Sequence, residues 1–163
     1  MHISGSGRFV FIAQWFLAVL LPIWFFIGRG LVGAQLGWLM VVGIIVYGIV
    51  VIILLLVPPL ISLADADVRA QKAERAWYST SSCVLWGAIL LAALVVPDAA
   101  DSPPPLDTAL TTWTGGAIDH AASRAIFTVL AVVIALGYLA TLVLAVAGVV
   151  RSRSRSGAPR ARS

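Results

Sequence analysis

Charge is scarce in this sequence. Only 11% of its 163 residues are Asp, Glu, Lys or Arg, 61% are hydrophobic, and mean hydropathy is +1.02. A soluble domain carries about a quarter charged residues, so a soluble enzyme, a disordered chain and a secreted disulfide scaffold are excluded. Cysteine is nearly absent: Cys83 stands alone in an apolar run, which rules out intrachain disulfides and CxxC redox chemistry. Two histidines, His2 and His120, fall outside the apolar runs, so no haem is held between two histidines within a bilayer. One Cys and two scattered His do not make a structural zinc site, and the sequence calls for no metal and no cofactor.

What is present is apolar length. Uncharged runs at about residues 9–28, 36–57, 78–97 and 125–150 each reach the roughly 20 helical residues that cross a hydrocarbon core. Barrel strands would be about half as long and would alternate, so the runs read as helices. The expected fold is an all-α integral membrane protein, a single four-span domain over residues 9–150 with its helices in an antiparallel bundle.

Orientation follows from the basic residues. With residues 1–8 cytosolic, only Arg29 and Arg124 of the 11 Lys and Arg lie outside, while Asp98, Asp101, Asp107 and Asp119 all do. The positive-inside rule then gives both termini inside. The first run is longer than a signal-peptide core and precedes no A-x-A pattern, so it is expected to stay as a helix. Residues 29–35 read as a tight outer turn, and Pro58-Pro59 as the end of the second span. Residues 62–77 read as a cytosolic helix, with Ser62 and Asp65 as a capping box and Asp65 paired to Arg69. The outer loop 98–124 contains a stiff Pro103-Pro104-Pro105 run and a surface segment from Leu106 to Trp113. The tail, 151–163, is expected to be disordered and drawn to anionic lipid head groups. Its Arg-Ser alternation is too short to imply nucleic-acid binding.

Few residues suggest chemistry. Asp65-Ala-Asp67 has the spacing of a metal-bound sugar-nucleotide site, but the loop has no room for a nucleotide fold, and both acids suit a first helical turn. Asp119-His120 with Arg124 is the one meeting of acid, imidazole and base, yet no nucleophile accompanies it, and Asp119 reads as a cap. Asp98, Asp101 and Asp107 are split by prolines and do not wrap a calcium ion.

Within the spans, polar groups carry most information, because an unpaired one is costly in hydrocarbon. Tyr47 and Tyr138 lie at similar depth and Gln14 nearer the cytosol. The expectation is that they face the interior, with the two hydroxyls bonded to each other or to Gln14, Thr128 or Thr141. Trp15 and Trp86 also match in depth. Ser79, Cys83 and Gly87 on the third span, and Gly137, Thr141 and Ala145 on the fourth, form small-residue stripes suited to close helix packing, either within one chain or against a second chain.

The leading functional reading is a non-catalytic membrane protein that acts by association, as an accessory subunit or by self-association. An oligomeric channel or uncoupled transporter for a small neutral solute is the alternative, since no span carries the ionisable residue that coupled carriers use. An intramembrane enzyme would have to rely on Asp119, His120 and Arg124. Ten Arg to one Lys, with abundant Ala, Val and Gly, suggests a high-GC bacterium and hence its cytoplasmic membrane.

Overall fold

A computed structural model describes residues 7–99 and 105–156, with backbone alone for 155 and 156. Asp101, Pro103, Pro104, His2 and the end of the tail lie outside the described residues. Among the described residues the chain is helical without strands, and four helices are long and apolar enough to cross a membrane. These are α1 (Gly7–Phe26), α2 (Trp38–Ser62), α4 (Ala76–Val95) and α6 (His120–Ser156). A 3-10 helix, Gly28–Val32, links the first two, and two short α-helices, α3 (Ala66–Gln71) and α5 (Ala109–Trp113), lie in the other connections.

The packing has a clear hierarchy. Half of the most apolar stretch of α4 is buried, against 6% for α2, so α4 is the internal strut and α2 the peripheral one. Helices α1 and α6 each pack on both α2 and α4. Two apolar clusters hold the middle: Val10, Tyr78 and Ala145 toward one end, and Leu21, Leu85 and Ile89 toward the other. Trp86 packs against both and joins them. We call the end that carries Gly7, Ser62, Glu74 and Gly148 the near end, and the opposite one the far end.

Several element boundaries differ from the sequence expectation. Pro58 and Pro59 do not end the second span; they are buried inside α2, which continues to Ser62. The Pro59 carbonyl accepts from Leu63 N at 3.1 Å and from Ser62 Oγ at 2.9 Å, so the last turn closes normally. Prolines are tolerated in spanning helices, where packing against neighbouring helices and local adjustment offset the amides they lack. A continuous helix over 62–77 does not form either. Asp65, not Ser62, is the cap, accepting from Asp67 N at 3.0 Å, and α3 stops after one and a half turns at left-handed Lys72. The surface segment expected from Leu106 begins its helix at Ala109, capped by Thr108. The tail is helical as far as Ser156, because neither Gly nor Pro interrupts it before Gly157 and basic residues suit a helix C-terminus.

Two glycines permit close contacts. Glu74 N donates to Gly7 O at 3.0 Å, and a Cβ at Gly7 would run into the Glu74 carbonyl. Gly43 opens a π-helical stretch of α2, Gly43–Gly48, and lies flush on the Phe26 ring, where a Cβ has no space.

Candidate functional site

Both ends of the helices are built from buried polar side chains, and the near end is the richer. After α3 the chain is non-helical from Ala73 to Arg75, and the buried Glu74 side chain reaches α1 and α2. Glu74 Oε1 accepts from Gln14 Nε2 at 3.0 Å and from Ser62 Oγ at 2.8 Å. Tyr78 donates its hydroxyl to Gln14 Oε1 at 3.0 Å. All four side chains are buried, so α1, α2 and α4 are tied together by one polar cluster. Burial raises the Glu74 carboxyl above its ordinary value, and nearby Asp65 adds to this. The bonds from Gln14 and Ser62, with the charge of Arg75, offset only part of the rise.

Beside it lies an ionic cluster. Arg75 Nε donates to Asp65 Oδ2 at 2.7 Å, and a second guanidinium nitrogen reaches Asp67 Oδ2 at 2.9 Å. The bond to Asp65 is the main reason that the Arg75 guanidinium holds its proton more tightly than usual. Gly148 on α6 borders this pair, since a Cβ there would come within 2.9 Å of Asp65 Oδ2. The expected Asp65–Arg69 pair is therefore replaced: Asp65 turns inward to Arg75, and Arg69 is exposed.

At the far end, Arg29 and Asp98 form a buried ion pair. Asp98 also accepts from Gly37 N at 2.8 Å, Leu39 N at 2.9 Å and Ala99 N at 2.7 Å, so it caps the start of α2. Burial alone would raise its carboxyl; those three amides and Arg29 outweigh it and hold the group below the usual carboxylate range. Arg29 Nε and, at the near end, Ser79 Oγ are buried without a hydrogen-bond partner.

The sequence-predicted residues divide. Gln14 is buried, with Glu74 and Tyr78 as partners in place of the tyrosines expected. Tyr47 does not face the interior: it is 53% exposed on α2. Ile44, Ile45, Val46 and Ile49 around it are exposed as well, so the exposure follows from the peripheral position of this stretch of α2. Tyr138 is half-buried beside an apolar cavity of about 360 Å³, whose walls include Phe26, Leu55, Leu85 and Ile134 from all four long helices. The proposed Tyr47–Tyr138 bond is absent, and Thr128 bonds its own helix at Arg124 O.

On α6, Thr141 and Ala145 are buried, and Ser81 bonds both Gly137 O at 3.3 Å and Thr141 Oγ1 at 2.8 Å. On α4 only Ser79 of the stripe is buried within the chain: Cys83 is exposed and no other side chain or backbone of the chain approaches Gly87. A strict spacing of four drifts off a face whose buried positions read Tyr78, Ser82, Leu85, Ile89 and Ala92. Trp15 is half-buried.

Asp119, His120 and Arg124 do not converge. Asp119 caps α6 by accepting from Ala122 N at 2.7 Å, His120 faces Asp107 at 3.5 Å, and Arg124 is exposed. Among the described residues no trio of His, Cys, Asp or Glu is placed to hold a metal ion.

Sequence reasoning missed the roles of Glu74 and Arg75, placed only within a cytosolic helix, and of Arg29 and Asp98, placed only in an outer turn and loop. Arg29 gave one usable signal, as a cation in a turn that the charge rule assigns to the outside. The arrangement can tie helices together at both ends, and its polar atoms are spent mainly on one another. No protein-family model, curated protein or solved structure matches this chain.

Proposed function

We propose that the chain is a non-catalytic multi-pass protein of a bacterial cytoplasmic membrane that works by association, its four long helices forming an antiparallel bundle with both termini cytosolic. Helix α2 docks on a transmembrane helix of a larger membrane protein. The observation that carries this reading is Tyr47. The residue lies midway along a spanning helix, is 53% exposed, and its hydroxyl has no partner among the described residues. In hydrocarbon such a group is costly, and a facing helix with a carbonyl or side-chain acceptor removes the cost. The slight burial of α2 leaves room for that neighbour.

A photo-crosslinking residue at position 47 tests this in native membranes, with one at the equally exposed Val132 of α6 as control. A discrete heavier adduct from position 47 alone, identified by mass spectrometry as another membrane protein, is expected. Equal or absent crosslinking at both positions, with a lone monomer on mild extraction, overturns the proposal. A second reading, an oligomeric channel or uncoupled carrier for a small neutral solute, is favoured by the apolar cavity between the four helices. An adduct that consists of a second copy of this chain would bring that reading forward.

A further inference from the structure

At the near end an open groove of about 510 Å³ lies between the end of α2 and α6. Val57, Leu60, Ile61 and Ala64 form one wall and Val146, Val149 and Val150 the other, while Arg153 closes the end beyond the apolar stretch. Val149 is buried at the base, and Leu60, Val146 and Val150 are exposed along the rim. Arg153 is exposed, and the ion pairs among the described residues use Arg29, Arg75 and His120, leaving it unpaired.

An occupant has to be apolar along the groove and anionic at one end. We infer that this groove is a binding site for one anionic phospholipid, with an acyl chain between α2 and α6 and the head-group phosphate on Arg153. Charge complementarity selects the occupant: an unpaired guanidinium at the mouth of an apolar groove, at the depth where a spanning helix leaves the hydrocarbon, matches a phosphate joined to a hydrocarbon chain. A zwitterionic lipid brings its own ammonium to the same place and gains less. Free phosphate has no chain and leaves the groove unfilled. The site lies on a different stretch of α2 from Tyr47, so its failure and the failure of the association reading are separately visible.

The test uses the full chain purified in a mild neutral detergent, with native mass spectrometry counting retained lipid after addition of phosphatidylglycerol or phosphatidylcholine. Preferential retention of one phosphatidylglycerol is expected. Arg153→Gln should cut that retention about fivefold, the scale of one basic contact at a lipid surface. Val146→Trp, which fills the groove, should abolish it, and Arg153→Lys should keep most of it. Arg151→Gln, one helical position off the groove, should change it little, and added inorganic phosphate should not displace the lipid. Equal retention of both lipids overturns the inference. So does an equal loss in Arg151→Gln and Arg153→Gln, which would mean diffuse attraction in place of a site.

Discussion

Glu74, which the sequence places only within a charged cytosolic stretch, is internal. It sits between α1 and α2 with Gln14 and Ser62 donating to it, Tyr78 on Gln14, and Asp65 and Arg75 as the nearest charges. Its raised carboxyl binds a proton more tightly in the folded chain than in the unfolded one, whose value stays near 4.5. Between those two values the folded state holds more protons, so the stability from this group is greatest at low pH and is lost as pH rises through the folded value. Glu74→Gln keeps the shape and removes the titration. Thermal unfolding in detergent, followed by circular dichroism from about pH 4.5 to 8, should show wild type losing more stability than the variant as pH rises. Parallel curves would refute the assignment.

At the scale of elements, hydropathy and length made the four spans legible, because a bilayer leaves an uncharged run of that length little choice but a helix. The ends of those helices were harder to read. Pro58 and Pro59 look like a stop when judged by rules for helices in water, yet α2 carries both to Ser62. The polar clusters were invisible for another reason: their contacts join residues far apart in the chain, Gln14 to Glu74 and Arg29 to Asp98, and no local pattern encodes them. Helix α3 is short, Ala66–Gln71, and it ends on Lys72 at φ 49°. A lysine there bears the left-handed strain that glycine avoids. Lys72→Gly should therefore raise the unfolding midpoint, by up to about 1 kcal/mol of stability. Lys72→Ala, with the same strain, should not, and a gain from both would remove backbone strain as the cause.

Across the whole molecule, the buried pairs sharpen the charge asymmetry that sets orientation. Arg29, which counts against the expected topology, is neutralised by Asp98 and shielded from solvent. Arg124 remains as an exposed cation at the far end, while Arg8, Arg69, Lys72, Arg151 and Arg153 are exposed at the near end. Arg75, held by Asp65 and Asp67, adds little to the near side, and the difference between the ends survives without it. Since cations retained on the cytosolic face direct insertion, the near end should lie in the cytosol. In a Cys83→Ser background, Ala117→Cys places a thiol at the far end and Ala70→Cys one on α3, both at exposed positions. A membrane-impermeant maleimide should label position 117 in intact spheroplasts and position 70 only after permeabilisation. The reverse pattern would invert the molecule, put Arg153 and its groove in the outer leaflet, and leave Asp98 with Arg29 as the cytosolic lock.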